Sequence, residues 1–186
     1  FKIMAEDVFY TKDREGNFTN YSGCGNTLNC NHKVVKDMII QSLLYWYLEV
    51  GVDGFRFDLA PILGRDADSQ WARYSLLHEL VEHPILAHAK LIAESWDLGG
   101  YFVGAMPSGW SEWNGAYRDT VRRFIRGDFG QVTELIKKIF GSVDIFHSNK
   151  NGYQASINFI CCHDGFTMWD LVSYNIKHNL LNGENN

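Results

Sequence analysis

Arg56 and Asp58 stand two residues apart in VGVDGFRFDLAP, residues 50–61, an apolar run that ends in charge. Glu94 closes a second run, AKLIAESWD, and His163 with Asp164 closes a third, SINFICCHDGF. In an extended chain alternate residues share a face, so Arg56 and Asp58 point one way and Phe55 and Phe57 the other. An ion pair is rarely the cheapest way to build a core. One charged strand end reads equally well as a structural salt bridge. Three in succession, each with a carboxylate, suit a site that handles positive charge or moves protons. Glycoside hydrolysis needs two facing carboxylates, one ionised to attack the anomeric carbon and one protonated for the departing oxygen. A neighbouring cation favours the charged form of an acid, so Asp58 beside Arg56 is the nucleophile candidate. Glu94 has no cation near it in sequence, and a neighbouring negative charge keeps a second carboxyl protonated. Glu94 is the acid candidate.

The elements that must carry these residues are legible in part. Residues 1–31 read as loop, with glycine and asparagine crowded into GNFTNYSGCGNTLNCN. From His32 an apolar stripe of Val35, Met38, Ile39, Leu43, Trp46 and Val50 predicts a helix, with Asn31 as its N-cap and Gly51 as its stop. A strand follows over 52–58. A second helix is expected over 68–82, before Pro84, then strands over 90–94 and 156–162. Helices are expected over 118–126 and 131–140, and residues 97–115 read as irregular. Strands alternating with helices predict βα units on a parallel sheet, doubly wound or closed into a (β/α)8 barrel. The carboxyl ends of such strands face the site.

A length of 186 residues, 46% of them hydrophobic and 21% charged, predicts a globular chain with a substantial core. Aromatic residues at 15% suit a core and equally a surface for stacking on sugars. A net charge of -5 with no basic stripe argues against nucleic acid as a partner. RDTVRRFIR, the densest positive cluster, is expected to form a solvated helix face. No run reaches the ~20 apolar residues of a membrane span, and no membrane partner is expected. The four cysteines form no C-x-x-C pair. Cys161 and Cys162 read as reduced core residues, which favours a reducing, intracellular compartment. HELVEH, residues 78–83, separates its histidines by about 140° on a helix, so they share no metal. No metal or cofactor is expected. Trp96, just past a strand end, is a candidate for stacking on substrate. Tyr101, Trp110 and Trp113 could also stack on sugar but read first as packing residues, and Asp97 and Asp144 read as surface or capping residues.

GFRFDLA, LIAESWD and FICCHDGFT resemble three signature regions of the α-amylase superfamily of glycoside hydrolases. The flanking YSGCGNTLNCNH, SEWNGAYRDTVRRFIRGD and LVSYNIKHNLLNGENN resemble its isoamylase and glycogen-debranching branch, which cuts α-1,6 branch points in starch or glycogen. The resemblance implies a (β/α)8 barrel and hydrolysis with retention. Asp58 is then the nucleophile and Glu94 the acid and base. Asp164 is the third carboxylate, binding sugar hydroxyls, with Arg56 holding Asp58 and His163 bonding to the same sugar. It implies a branched α-glucan as substrate, a cytoplasmic or plastid location, and allows homo- or hetero-oligomers with related subunits.

The family's first signature region and the barrel's last strand are absent. Residues 1–186 are therefore expected to be an internal portion of a catalytic barrel, roughly its fourth to seventh βα units. The chain also lacks an initiating methionine, in keeping with that expectation. Serine stands at 95, where the family usually has proline, and the segment between Asp58 and Glu94 is short for this branch. Two further readings are a non-catalytic glucan-binding subunit and a relative acting on α-1,4 bonds. The intact carboxylates tell against the first and the flanking motifs against the second.

Overall fold

Parallel pairing of short apolar runs organises the chain, whose computed structural model describes residues 1–183. The end of LVSYNIKHNLLNGENN, residues 184–186, lies outside the described residues. In order come helices α1 (Lys2–Phe9) and α2 (Lys33–Tyr45), strand β1 (Gly54–Phe57), helix α3 (Leu76–Glu82), and strands β2 (Lys90–Ala93), β3 (Trp96–Asp97), β4 (Gly100–Tyr101) and β5 (Ser111–Trp113). Then follow α4 (Gly115–Arg126), α5 (Val132–Ile139), α6 (Val143–Phe146), β6 (Ser156–Ile157) and α7 (Met168–Ser173). A four-stranded parallel sheet has the order β1-β2-β5-β6, and β3 with β4 makes a separate antiparallel hairpin. The mixed α/β architecture with a parallel sheet is the one the alternating pattern predicts.

In the sheet, Phe55 lies opposite Leu91 and Phe57 opposite Ala93. Glycine is required at 54, because a Cβ there would sit 2.4 Å from the Lys90 carbonyl oxygen. The core gathers on the Phe57 side. Leu76, Leu77 and Leu80 of α3 pack with Leu86, Leu91, Ala93 and Trp110, all essentially without solvent contact. Trp110 meets Phe57 edge-on with centroids 4.9 Å apart, and its Nε1 donates to Leu77 O at 3.0 Å. With that face covered by helices, the opposite face is left to Arg56 and its neighbours.

Several local expectations fail for identifiable reasons. Lys2–Phe9 is helical rather than loop, kinked at Ala5 and closed by stacking of Phe1 on Phe9. The cap of α2 is His32, whose Nδ1 accepts from Val34 N, not Asn31. Its core face runs through Val35, Ile39, Ile40, Leu43, Leu44 and Tyr47. Trp46 and Val50 are exposed, because a π-turn over Trp46–Val50 breaks the helical period before Gly51 ends the helix at φ 80°. The helix expected over 68–82 begins only at Leu76. Asp66 instead accepts from the backbone of Asp68 and Gln70, a local bond that competes with helix, and Ser75 with His78 forms a reciprocal cap.

Strand β5 lies inside a stretch read as irregular, since three residues show no alternation. The strand expected over 156–162 stops at Ile157. Its partner β5 ends at Trp113, where Asn114 caps α4, and among the described residues no strand pairs with those beyond Ile157. Trp110→Ala removes a large, fully enclosed side chain and should destabilise the protein by about 3–5 kcal/mol. Denaturant unfolding of the purified protein measures it.

Candidate active site

The β1–β2 ladder continues one step past the strands, with Glu94 N donating to Phe57 O and Ala60 N to Glu94 O, each at 3.0 Å. That step draws Asp58 and Glu94 level at adjacent strand ends. Arg56 lies two residues below them on the same face. Its Nη1 reaches Asp58 Oδ1 at 2.5 Å and its Nη2 reaches Glu94 Oε2 at 2.8 Å. Leu59 N donates to the same Oε2 at 3.1 Å. Leu59 adopts φ 44°, a left-handed conformation that costs a non-glycine residue about 1–3 kcal/mol. Its strain accompanies the donor aimed at Glu94.

One guanidinium thus spans two carboxyl groups in unlike surroundings. The Glu94 side chain is 6% exposed and that of Asp58 is 71% exposed. Burial pushes the Glu94 pKa up, and the nearby Asp58 adds to the rise through a hydrogen bond and its charge. The Leu59 N–H and Arg56 work the other way. Burial wins, and Glu94 holds its proton more tightly than an ordinary glutamate. A buried carboxyl poised to give a proton stands beside an open one free to meet a ligand.

Trp113, expected to be a packing residue, belongs to this arrangement. The Arg56 guanidinium lies over its ring, 4.3 Å from the centroid, and the His163 ring stands 5.9 Å from it. Trp113 therefore joins Arg56 to the residues after β6. Its sequence signal was weak, because a three-residue strand does not show which residue ends it.

His163 and Asp164 lie past β6 in exposed positions. Among the described residues Asp164 shares no hydrogen bond with Asp58 or Glu94. Its Oδ1 accepts from the Cys162 thiol at 2.7 Å, which holds the carboxyl below the usual range, helped by His163 and Arg118. Arg122 of α4 anchors this segment by donating from Nε to Ile160 O at 3.1 Å. Cys162, His163 and Asp164 each offer a donor atom within 4.8 Å of the others. Consecutive residues at a turn produce that proximity without a metal. All four cysteines are free, but Cys161 and Cys162 are only half-buried, and Cys30 is the one in the core. The 161–162 pair escapes the core because β6 ends before it.

Trp96 is half-buried and stacks parallel on Tyr101, with centroids 5.9 Å apart. Asp97 is no surface residue. Its side chain is fully enclosed and takes a bidentate pair from Arg65, Nε to Oδ2 and Nη2 to Oδ1, both at 2.7 Å. Asp144 pairs with Lys138 at 2.7 Å. His78 caps α3, and His83 accepts from the backbone of Ile85 and Leu86. The two HELVEH histidines are thus both occupied as local caps.

Replacing Arg56 by methionine removes a cation that lowers the Glu94 pKa. The Glu94 midpoint should move further up, as followed by carboxyl-carbon NMR titration. An unchanged midpoint would mean that burial alone sets it.

No family model matches the chain. It is 47% identical to isoamylase 3, chloroplastic, of Oryza sativa subsp. japonica, covering 99% of this chain and 24% of that protein. Identity is 45% with isoamylase SU1, chloroplastic, of Zea mays, covering 100% of this chain and 26% of the relative. The glycogen operon protein GlgX homolog of Mycobacterium tuberculosis is 46% identical, covering 100% and 25%. Among solved structures, a pullulanase from an Anoxybacillus species complexed with maltotriose superposes with TM-score 0.69 at 31% identity, over 88% of this chain and 24% of that one. The pullulanase of Bacillus acidopullulyticus gives 0.66 at 29% identity, over 88% and 21%. The chain spans about a quarter of the length of the curated relatives it matches. Aligned along essentially its whole length with these relatives, it belongs to the isoamylase and GlgX family of the α-amylase superfamily.

Proposed function

We propose that this chain carries the catalytic carboxylates of a retaining glycoside hydrolase that cleaves α-1,6 branch linkages in starch or glycogen. The observation that carries the reading is the Arg56 guanidinium holding an open Asp58 and an enclosed Glu94 side by side. Carboxyl groups this close fit a retaining pair, for which about 5 Å of separation leaves no room for a water between them. The names of the relatives and the maltotriose bound to the Anoxybacillus pullulanase point to the same substrate class.

In this reaction an Asp58 oxygen attacks the anomeric carbon. The glycosidic C–O bond breaks as the leaving oxygen takes the Glu94 proton. Glu94, now ionised, takes a proton from water, whose oxygen attacks the same carbon and frees Asp58. The raised Glu94 pKa favours the protonated form that gives the first proton. Arg56 orients Asp58, and its contact with Trp113 keeps the guanidinium from swinging away. His163 and Asp164 bind hydroxyls of the reacting sugar, which itself supplies the bridge that the free chain lacks between them and Asp58. Trp96, paired with Tyr101, presents an aromatic face to a neighbouring glucose.

Residues 1–186 act as an internal portion of a (β/α)8 barrel, about its fourth to seventh units. Two features support this. Among the described residues the four-stranded parallel sheet does not close on itself, and Val132, Ile136, Ile139 and Phe140 expose an apolar surface at α5 of the kind that more barrel would cover. A plastid or cytoplasmic location is supported by the free cysteines and by the chloroplastic relatives. A non-catalytic role is the weaker reading, since Asp58, Glu94 and Asp164 are all present.

The test uses the full-length protein with a branched and a linear glucan, counting reducing ends. Release from the branched polymer alone, abolished by Asp58→Asn, is the expected result. Glu94→Gln should lower kcat by about 10²–10⁴-fold, the usual contribution of a positioned acid. Glucan binding with no release by the unmodified protein would favour the non-catalytic subunit.

A further inference from the structure

Glu112 is a carboxyl that the proposed reaction leaves unused, and its surroundings are unusual. It has no solvent exposure and forms no salt bridge among the described residues. The β2–β5 register sets it opposite Ala93. Side chains alternate along a strand, so Glu112 lies on the sheet face away from Glu94, directly behind it. Its Oε2 accepts from Gly104 N at 2.9 Å, while Oε1 is buried without a partner.

The second buried orphan at this spot is the hydroxyl of Ser95, the residue next to Glu94. Ser95 has no solvent exposure, and its carbonyl oxygen accepts from Phe102 N at 2.7 Å. Glu112 accepts from Gly104 N and interacts with the Ser95 hydroxyl, and so meets both ends of the segment 95–104, which follows the proposed acid and carries Trp96 and Tyr101. Buried orphan polar atoms are rare in folded proteins. Here the two are a carboxyl oxygen and a hydroxyl that interact, the Ser95 hydroxyl favouring the Glu112 anion.

We propose that Glu112 is a positioning residue for Glu94. From behind the sheet its carboxyl ties Ser95 and Gly104 together and so fixes the backbone that aims the acid. This rests on the hydrolase reading for its catalytic consequence, but not for its structural one. Burial drives the Glu112 pKa up, against the Ser95 hydroxyl and the N–H groups of Gly104 and Met106, which favour the anion. With no cation paired to Glu112 among the described residues, the tie is made by hydrogen bonds such as that from Gly104 N, and an amide of the same shape can replace it.

Full-length protein carrying Glu112→Ala, Glu112→Gln or Ser95→Ala separates the possibilities. Amide hydrogen exchange by mass spectrometry should show residues 94–106 exchanging faster in Glu112→Ala and unchanged in Glu112→Gln. On a branched glucan, kcat should fall about a hundredfold in Glu112→Ala, the scale of a small misplacement of a reacting group. KM should stay within about threefold, and Glu112→Gln should keep most of the activity. Unchanged exchange over 94–106 in Glu112→Ala would overturn the proposal. So would equal loss in Glu112→Gln, which would show that a charged carboxylate is needed. If the unmodified protein releases no reducing ends, the hydrolase reading is what fails, and the exchange comparison still decides the role of Glu112. If Glu112→Ala does not fold by circular dichroism, Ser95→Ala takes its place in the same comparison, because it leaves the carboxyl in position.

Discussion

Everything at the site hangs on the Arg56 guanidinium. Removing a carboxylate from water is costly unless a cation and hydrogen bonds replace the lost hydration. Glu94 is buried, and Arg56 and the Leu59 N–H offset part of that cost. The same guanidinium also holds Asp58, so the two carboxyl groups are brought close without meeting as bare charges. Trp113 backs the cation with its ring face, a contact that strengthens as water is excluded. Take Arg56 away and the buried acid is left without its cation, while the open one loses its orientation. One side chain thus sets both the spacing of the pair and the asymmetry of its surroundings.

The sheet exists to hold that side chain in place. Parallel pairing of β1 with β2 brings residues 38 positions apart in sequence into hydrogen-bonding reach. The helices load the Phe57 face with leucine and tryptophan, so the Arg56 face need not supply apolar burial. Behind Glu94, Glu112 and Ser95 place polar groups where a leucine would pack more simply. That choice fits a sheet whose middle strands serve the strand ends more than the core. The strained Leu59 belongs to the same pattern, since local strain is kept where it aims a functional group.

What the sequence disclosed follows from the range of each signal. Arg56, Asp58 and Glu94 were legible because strand alternation and a charged terminus act over a few residues, and their grouping needed only two adjacent parallel strands. Trp113 was not legible. Its strand is three residues long, and its partners are Arg56 and His163, far away in sequence. The capping reading of Asp97 is met by the bond from Gly99 N, but its burial against Arg65 was missed because Arg65 lies across a loop that read as helix. Glu112 had no signal at all: a lone glutamate between serine and tryptophan reads as solvated until the register buries it. The overreach at 158–162 has the same root. Apolar composition permits a strand, but only a neighbouring strand of matching length creates one.

In the proposed reaction Asp58 is the group that bonds to sugar, with Glu94 as its proton donor. A fluorinated glucosyl inactivator, which forms the covalent intermediate quickly and hydrolyses it slowly, reads this directly in the full-length protein by peptide mass spectrometry. One added sugar is expected on the peptide containing Asp58, and none in Asp58→Asn. A sugar on the peptide containing Glu94 or Asp164 would contradict it.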